Sequence, residues 1–273
     1  MALKAVITVA GYGSRFFPIA KAVNKCMLPI LDRPVVHLAV QDCVAAGIEQ
    51  IAIVTAPGDT QVRHYFTEDR ALRDHFHERG WDGKYEPIAR LHELAEFTFL
   101  EQPRDGRYGT ALPAMVAAEW IGGDDFLLMS GDDVILRADG GSDLADMVRA
   151  RTAAGTPGAI AAATVPGEQA HRYGVFVTRD AGGRLLLDRL EEKPADYIGD
   201  VAHVNISRAV LPNAFLDFLD GLKPAVNGEY QSTDAIAELC EDLEVLVHPI
   251  RGTYHDCGDP AGWLAANNAA AAI

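Results

Sequence analysis

Two apolar, β-branched runs near the N-terminus are separated by a stretch with helical spacing. The runs are KAVITVA at 4–10 and QIAIVTA at 50–56, and between them apolar residues recur at helical intervals from Pro34 onward. A strand, a crossover helix and a strand within about 55 residues form a βαβ unit, which requires the two strands to be parallel. We therefore predict an open α/β fold, in which helices flank a Rossmann-like, mostly parallel central sheet.

The alternation of strand and helix continues to about residue 155. The next predicted elements are a charged helical stretch, a strand, a helix and a strand, at 59–94, 96–102, 109–120 and 125–130. Ligands of such sheets bind beyond the carboxyl ends of the strands. GYGSR at 11–15 and GDD at 131–133 directly follow two strands, so we expect both motifs on one rim of the sheet.

From about residue 157 the pattern changes to shorter, β-rich segments. Four of them read as strands: GAIAAATV, YGVFVTRD, GRLLLDRLEE and VAHVNISRAVL. Helices near 213–220 and 231–241, a strand LEVLVHPI, a turn HDCGDP and an Ala-rich helix after Pro260 follow. Because no long Pro/Gly/Ser linker separates the halves, we predict one mixed domain over 1–273 with a β-rich second half.

The charge balance excludes a general nucleic-acid binder. The chain has 24 Lys and Arg against 39 Asp and Glu, a formal net charge of -15, whereas nucleic-acid binding depends on clustered basic residues. Residues 1–34 nevertheless contain five Lys and Arg against a single Asp. A basic segment on an acidic body is suited to a small anion, although chance clustering explains the pattern equally well at this point.

The sequence also favours a cytoplasmic protein without a membrane partner. No apolar run approaches the roughly 20 residues of a membrane helix, and the N-terminus carries no signal-peptide pattern. The four cysteines include no CxxC pair, so neither a zinc site nor a disulfide framework is indicated. We expect four reduced thiols, at Cys26, Cys43, Cys240 and Cys257.

A glycine turn with several cations follows the first strand. In GYGSR the glycines let backbone N–H groups approach phosphate oxygens closely. The turn is neither a Rossmann GxGxxG fingerprint, because Phe16 occupies the third glycine position, nor a Walker A loop, because no GK[ST] follows. By itself such a turn is more typical of a purely structural connection between a strand and a loop. The continuation supplies Arg15, Lys21 and Lys25 within one loop, which favours a triphosphate.

AGYGSRFFPIAKAVNKCMLPILDRP, at 10–34, closely resembles the signature region of bacterial sugar-1-phosphate nucleotidylyltransferases. The resemblance continues in order along nearly the whole chain, through Gln102 with Gly109, GDDVIL (131–136), RYGV (172–175), EEKP (191–194), GEYQSTDAI (228–236) and HDCG (255–258). It implies that a sugar-1-phosphate oxygen attacks the α-phosphorus of a nucleoside triphosphate, giving a nucleotide-sugar and pyrophosphate. Members that use UTP and glucose-1-phosphate are the most similar, and these are the small-molecule partners we expect.

The resemblance implies a mainly nucleotide-binding half, 1–155, and a mainly sugar-phosphate-binding half, 156–273. Catalysis falls to Arg15, which can bind two oxygens of the leaving pyrophosphate at once, and to Lys25, a movable point charge suited to the α-phosphate. Gln102 suits the O4 and N3–H edge of uracil or thymine. The nucleotide-binding residues implied are Ala10, Gly11, Gly13, Ser14, Gln102 and Gly109.

Metal and sugar ligands follow from the same resemblance. Asp132 and Asp256 would hold one Mg²⁺, which requires hard oxygen ligands, while Asp133 reads as an exposed acidic turn. The implied sugar-phosphate residues are Gly174, Glu192 and Lys193. The mechanism needs no general base, because the attacking phosphate is already ionised. We therefore predict structural roles for three histidines, His171, His203 and His255, and for Cys257.

Several positions depart from the pattern of the family. Arg107 stands where glycine is usual, near the base and ribose, and Ser207 and Ala209 replace a glycine and an aromatic residue at the sugar pocket. Asn24 and Cys26 replace Pro and Glu beside the catalytic lysine. The phosphate chemistry is thus predicted to be intact, while dTTP or another sugar-1-phosphate stays open as an alternative.

Two other classes of function compete with this reading. A glycosyltransferase with a related nucleotide-binding half would also place Mg²⁺ on acidic residues, but it would need no cationic cradle for pyrophosphate. A non-catalytic nucleotide-sugar sensor would have no reason to retain the cations and carboxylates together. As a further hypothesis, the charged stretch at 67–94 packs on a second copy of the chain in a homo-oligomer.

Overall fold

The computed structural model describes residues 2–273. In the first half the strands are β1 (Leu3–Thr8), β2 (Pro29–Ile30), β3 (Arg33–Pro34), β4 (Gln50–Thr55), β5 (Glu96–Glu101), β6 (Asp125–Ser130) and β7 (Asp133–Leu136). The helices of this half are α1 (Val35–Ala45), α2 (Gln61–Tyr65), α3 (Arg70–Glu78), α4 (Asp82–Tyr85), α5 (Leu112–Ile121) and α6 (Asp143–Ala154).

A larger share of the residues of the second half lies in strands, as predicted. Its strands are β8 (Gly158–Pro166), β9 (Gly174–Asp180), β10 (Leu185–Glu192), β11 (Val201–Leu211), β12 (Val245–Pro249) and β13 (Thr253–Asp256). Its helices are α7 (Phe215–Asp220), α8 (Ser232–Asp242) and α9 (Pro260–Ala270).

Within residues 2–273, nine strands form one mixed sheet in the order β5-β4-β1-β6-β11-β8-β12-β10-β9. The four strands β5, β4, β1 and β6 are parallel to one another, as the βαβ pattern predicts. β11 runs antiparallel to both β6 and β8 and so joins the parallel part to the β-rich part. The predicted α/β fold is confirmed, and one continuous sheet crosses the boundary between the two halves.

Both faces of the central strands are buried. Ala5 and Ile7 of β1 belong to a core cluster with Val40 of α1, whereas Val6 belongs to a second cluster with Ala114 of α5. Neighbouring residues of a strand point to opposite faces of the sheet, so helices on both sides enclose β1. This burial fixes β1 in the middle of the sheet and leaves its carboxyl end open for the loop that follows.

The charged stretch predicted as helical at 59–94 is divided into short helices. The side chain of Asp69 caps the start of α3 by accepting a hydrogen bond of 2.9 Å from the N–H of Leu72. Gly80, with a φ of 67°, follows the end of α3. An Asp N-cap and a left-handed glycine are boundary signals, and they interrupt what the charge pattern indicates as one helix.

Two further boundaries differ from the prediction because of contacts between distant segments. The helix predicted from Gly109 begins at Leu112, since Gly109 has a φ of 130° and lies against Tyr230. In the predicted turn HDCGDP, His255 and Asp256 belong instead to β13, which pairs antiparallel with β7. Neither pairing is visible in local sequence.

The remaining predictions about the chain concern thiols and membranes. Within residues 2–273, no helix combines the length and the apolar character needed to cross a membrane. The four cysteines are free, and Cys26, Cys43 and Cys257 are buried.

Candidate active site

The loop after β1 and the turn after β6 lie side by side at the carboxyl edge of the sheet. Thr8 and Ser130 are partners in the parallel register, and the N–H of Gly131 donates a hydrogen bond of 3.0 Å to the carbonyl of Thr8. A Cβ at Gly131 would lie 2.7 Å from a methyl carbon of Val9, so only glycine permits this approach. The two motifs therefore share one rim, as predicted.

Asn24 anchors the cationic loop. Its Nδ2 donates to the carbonyl of Val9 at 3.0 Å and to the carboxylate of Asp59, while its Oδ1 accepts from the N–H of Cys26 at 2.9 Å. These bonds hold the short helical turn that starts at Lys25. Asn24 departs from the family pattern, yet it keeps the predicted catalytic lysine on the rim.

Lys25 and Asp132 form a mostly enclosed ion pair. Their side chains are 15% and 14% exposed, and Lys25 Nζ donates to Asp132 Oδ2. Burial alone would lower the pKa of Lys25, but the Asp132 carboxylate outweighs it and raises that pKa. Burial would likewise raise the pKa of Asp132, but Lys25 and the hydroxyl of Ser130 lower it. Both groups are thus charged at neutral pH.

Lys25 also passes over the glycine turn. A Cβ at Gly11 would lie 3.4 Å from both Cε and Nζ of Lys25, and one at Gly13 would lie 3.4 Å from its Cβ. Gly13 has a φ of 63° and precedes a short helical turn that begins at Ser14. The predicted phosphate-binding turn therefore lies against the ammonium group, with Ser14 exposed next to Arg15.

Arg15, Asp132 and Asp256 surround Gly258. Arg15 Nη1 lies 3.6 Å from Asp256 Oδ2 and 3.5 Å from Asp259 Oδ2, and its side chain is half exposed. A Cβ at Gly258 would lie 2.7 Å from Arg15 Nη2, 2.8 Å from Asp256 Oδ1 and 3.0 Å from Asp132 Oδ2. Both carboxylates thus face the same small space beside a guanidinium. Only glycine leaves that space open.

The donor set in this space fits Mg²⁺. Mg²⁺ is usually bound by one or two carboxylates together with waters and substrate phosphates, and Asp132 and Asp256 supply two. Residues 2–273 contain no group of three or more His, Cys, Asp and Glu side chains that could hold a metal. The protein therefore offers a pair of acidic ligands, which suits a metal that arrives with phosphate oxygens.

Gln102, Ala10 and Arg107 line one cleft of about 270 Å³ beside this rim. The backbone of Gln102 is held at the end of β5 by a hydrogen bond of 2.9 Å to the carbonyl of Thr55. The guanidinium of Arg107 binds the carboxylate of Asp105, with Nε at 2.8 Å. Two of the predicted nucleotide-binding residues thus share a cleft with the arginine that departs from the family pattern.

The backbone around Gly109 packs against the distant segment around Tyr230. The N–H of Tyr230 donates to the carbonyl of Tyr108, and the N–H of Ala111 donates to the carbonyl of Tyr230, both at 2.9 Å. A Cβ at Gly109 would overlap the Tyr230 carbonyl oxygen and lie 2.5 Å from its nitrogen. The structure thus gives Gly109 a backbone-packing role at the edge of the cleft, besides the predicted contact with the base.

The three predicted sugar-phosphate residues also cluster. Gly174 of β9 pairs with Glu192 of β10, and a Cβ at Gly174 would lie 3.0 Å from Glu192 Oε2. Lys193 Nζ lies 3.2 Å from Glu192 Oε1, and Lys193 has a φ of 47°. Asn205 lies 3.9 Å from the same Gly174 position and lines a cavity that reaches Ser130. Asn205, which the motifs do not single out, therefore connects this cluster to the acidic rim.

The cavity beneath the rim has a volume of about 100 Å³. Its polar wall includes Asn205, Ser207 and Thr233, and Ala209 lies in its lining. Ser207 has a φ of 54°, in the left-handed region that non-glycine residues rarely adopt. The two departures from the family at 207 and 209 thus border the space between the sugar cluster and the rim.

The interpretation of Asp133 as an exposed acidic turn is wrong. Asp133 is 3% exposed, starts β7 and pairs with Arg208, which is wholly buried in β11. Burial raises the pKa of Asp133 to about 7, against the opposing effect of Arg208. A lone arginine inside the apolar run VNISRAVL is the sequence signal that points to a buried acidic partner.

Three of the residues predicted to be structural, His171, His203 and Cys257, lie in ordinary environments, whereas His255 Nε2 is buried without a hydrogen-bond partner among residues 2–273. His171 is exposed with Nδ1 2.8 Å from the carbonyl of Glu168, and His203 Nδ1 lies 3.3 Å from the hydroxyl of Thr164. Cys257 is 1% exposed, and burial raises the pKa of its thiol to about 12. A neutral, enclosed thiol is a poor nucleophile.

Comparison with solved structures places this geometry among known folds. A UDP-glucose pyrophosphorylase complexed with UDP-glucose is 27% identical, with a TM-score of 0.84 and coverage of 98% of both chains. A UTP-bound UGPase from Acinetobacter baumannii is 27% identical, with a TM-score of 0.86 and coverage of 98% of this chain and 93% of that one.

Sequence relatives agree with the structural neighbours. UTP-glucose-1-phosphate uridylyltransferase of Bacillus subtilis (strain 168) is 29% identical over 263 residues, which are 96% of this chain and 88% of the relative. The protein of the same name from Pseudomonas aeruginosa is 29% identical over 271 residues, 98% of this chain and 95% of the relative. The family model described as nucleotidyl transferase matches residues 4–272. With the match spanning the fold and every predicted site residue, this chain belongs to the nucleotidyl transferase family.

Proposed function

We propose that the protein transfers a uridylyl group from UTP to glucose-1-phosphate, forming UDP-glucose and pyrophosphate. The observation that carries the proposal is the convergence of two cations and two carboxylates on one rim, namely Arg15, Lys25, Asp132 and Asp256. The printed names of the sequence relatives support UTP and glucose-1-phosphate as substrates. The proposed setting is the cytoplasm, with small molecules as partners.

In the proposed reaction, a phosphate oxygen of glucose-1-phosphate attacks the α-phosphorus of UTP. The new P–O bond replaces the bond from the α-phosphorus to the bridging oxygen, and pyrophosphate leaves with the electron pair. Such transfers are accelerated mainly by positioning and by neutralising charge. Lys25 supplies a positive charge over the glycine turn, and Arg15 supplies a second one at the exposed edge, where it suits the departing pyrophosphate.

Asp132 and Asp256 would hold Mg²⁺. When bound there, the metal supplies charge neutralisation for the phosphate oxygens. Ser130 and Lys25 hydrogen-bond Asp132 and keep it ionised, which a metal ligand requires. Gly258 keeps the space between the two carboxylates free of a side chain.

Base and sugar would be bound on either side of this rim. Gln102, at the end of β5 in the cleft with Ala10, presents an amide that can pair with the O4 and N3–H groups of uracil. Glu192 can accept hydrogen bonds from sugar hydroxyls, Lys193 can pair with the sugar phosphate, and Gly174 leaves room for the hexose.

The same chemistry with dTTP or another sugar-1-phosphate is the second candidate. The observation that favours it is the position of Ser207 and Ala209 in the lining of the cavity beside the rim. A hydroxyl at a site built for hydrogen bonding can discriminate strongly between related sugars. Membership of the nucleotidyl transferase family argues against the glycosyltransferase reading, and the convergence of both cations and both carboxylates on the rim argues against a non-catalytic sensor.

Release of pyrophosphate tests both candidates. The purified protein with Mg²⁺ is offered UTP or dTTP together with glucose-1-phosphate, galactose-1-phosphate or N-acetylglucosamine-1-phosphate. We expect the highest kcat/KM for UTP with glucose-1-phosphate. A clear preference for dTTP or another sugar would support the second candidate, and a lack of release with every pair would refute the reaction itself.

Lys25→Met tests the catalytic assignment. Loss of one preorganised charge at a developing phosphate charge typically costs about 100-fold or more in kcat, and we expect a loss of that size. Lys223→Met is the matched control, because Lys223 is exposed and lies outside the proposed site; its activity should equal that of the wild type. Equal activities for the two variants would contradict the role of Lys25.

A further inference from the structure

We infer that Arg208 is a positioning residue that acts through Asp133 to hold the two metal-binding carboxylates at their working separation. The inference rests on the proposed function, because it assigns Asp132 and Asp256 to Mg²⁺. It adds a buried guanidinium that links β11 and α1 to Asp133, the residue that follows one ligand in the chain and pairs with the other.

The side chain of Arg208, in β11, contacts two other segments, β7 and α1. Its side chain is wholly buried in β11, and Nη1 donates to the carboxylate of Asp133. Nη2 lies 3.4 Å from the backbone carbonyl of Asp133 and 3.7 Å from Asp42 Oδ2 in α1. The guanidinium thus contacts both the side chain and the backbone of Asp133, and it also lies near a second carboxylate, that of Asp42 in α1.

Asp133 is linked to both metal ligands. It follows Asp132 directly in the chain, and in the antiparallel pair of β7 and β13 its partner is Asp256. Arg208 itself pairs with Met129 of β6, the strand that ends just before the acidic turn. A shift of Asp133 would therefore move the backbone of one ligand and the pairing partner of the other.

Arg208 also affects the distribution of negative charge around the two ligands. Asp133 adjoins Asp132 in the chain and lies opposite Asp256 in the paired strands. The Arg208 guanidinium binds the Asp133 carboxylate in the interior, so Asp132 and Asp256 are the carboxylates presented at the rim. Among residues 2–273, Arg208 Nε has no hydrogen-bond partner, so the polar contacts of the side chain are made by its two Nη groups.

A packing role alone does not account for this side chain. An apolar residue of similar volume would fill the position without the cost of burying a charge. Arg208 also lies in the lining of the cavity that contains Ser130 and Asn205. Because its side chain is wholly buried and paired with Asp133, its guanidinium can fix the acidic turn from the interior without touching the substrates.

UTP binding measured with and without metal tests the inference. Titration calorimetry of the whole protein with UTP alone is performed in Mg²⁺ and again in EDTA, for Arg208→Met, Arg208→Lys and Asp133→Asn. We expect each variant to bind UTP at least tenfold more weakly than the wild type in Mg²⁺, but within twofold of it in EDTA. The concentration of Mg²⁺ needed for half-maximal activity should rise in parallel.

Arg151→Met is the matched control. Arg151 pairs with Asp125 at the opposite end of β6, and both side chains are mostly buried. We expect this variant to unfold at a lower temperature while its ratio of UTP affinities in Mg²⁺ and EDTA stays at the wild-type value. Arg208→Lys and Asp133→Asn retain a polar group and keep the test decisive if Arg208→Met does not fold.

The outcomes separate the inference from the proposed function. If the wild type binds UTP more tightly in Mg²⁺ and the variants keep the same ratio, the positioning role is refuted while the reaction stands. A loss of affinity that is equal in Mg²⁺ and EDTA also refutes it, because it indicates general disruption. If the wild type neither binds UTP nor releases pyrophosphate, the proposed function fails and the inference fails with it.

Discussion

Replacing Gly262 by alanine should destabilise the protein, although alanine normally stabilises a helix relative to glycine. Gly262 is the third residue of α9, and its N–H donates to the capping carboxylate of Asp259 at 2.9 Å. A Cβ there would overlap the carbonyl oxygen of Asp256 and lie 3.0 Å from the carbonyl carbon. The obstacle is backbone, so it cannot move aside as a flexible side chain would, and either α9 or Asp256 must shift.

The magnitude follows from two opposing effects. A helical glycine replaced by alanine normally stabilises a helix by up to about 1 kcal/mol, whereas overpacking costs about 1–3 kcal/mol. Because the overlap is with backbone, we expect the upper part of that range and a net loss of about 2 kcal/mol. With an unfolding entropy of roughly 2.1 cal/mol/K per residue, this lowers the Tm of the 273-residue chain by about 3–4 °C.

Gly83→Ala is the control for helix propensity. Gly83 lies in α4, and a Cβ there would meet no atom of the described residues within 4 Å. This variant should gain a few tenths to about 1 kcal/mol. The two variants are compared by thermal and urea unfolding, and by the Mg²⁺ concentration at half-maximal activity, which Gly262→Ala alone should raise.

The reasoning fails if Gly262→Ala is as stable as the wild type or more stable. A lower stability with an unchanged Mg²⁺ requirement would mean that α9 moves and Asp256 does not. That result would refute the mechanical link from the helix to the metal ligand.

Three more predictions follow from backbone conformation and burial. Gly109→Ala should raise the KM for the nucleotide about tenfold or more, because the added Cβ overlaps Tyr230. Gly106→Ala is the control: Gly106 has a φ of 90°, but a Cβ there would meet no atom of residues 2–273 within 4 Å, so the KM should rise less. Equal increases in KM for the two variants would contradict the steric argument. The pKa of buried His37 is lowered to about 4 by burial, so the unfolded chain, with a histidine pKa near ~6.5, binds more protons than the native state between these values. The free energy of unfolding should therefore fall as the pH drops from about 6.5 to 4, and His37→Phe should flatten that pH dependence. Ser207→Gly should raise Tm, since it relieves a left-handed φ of 54° at a cost of roughly 1 kcal/mol, and a lower Tm would show that the hydroxyl contributes more than the strain removes.

Local sequence predicts most of the elements that carry the site. The apolar runs around Ile7 and Ile53 indicate buried strands, and the short crossover between them requires a parallel pairing, which the structure has. From that topology alone, the glycine turn and the acidic turn at Asp132 belong on the same rim, where the structure brings them together. Periodicity and crossover length act over short stretches of chain, so they can be read directly.

Element boundaries are less predictable where distant segments compete with local propensity. The segment 59–94 has the charge pattern of one helix, yet Asp69 and Gly80 divide it. Gly109 lies outside its predicted helix because Tyr230, more than a hundred residues later, hydrogen-bonds the backbone of the flanking residues Tyr108 and Ala111. Capping signals can be recognised in the sequence, but the backbone pairing of the segment around Gly109 with Tyr230 cannot.

The two aspartates of GDD show where the sequence stops being sufficient. The sequence alone does not distinguish the two aspartates. The resemblance to the family selects Asp132 as the ligand and leaves Asp133 as a residue of an exposed turn. In the fold, Asp132 faces Lys25 on the rim, and Asp133 faces Arg208 in the interior, 75 positions along the chain. The sequence by itself determined the sheet, the rim and the charges placed on it, because these follow from period and spacing. Only the tertiary structure decided which carboxylate is buried and which is presented, because burial depends on the segments that pack around a side chain and not on its neighbours in the chain.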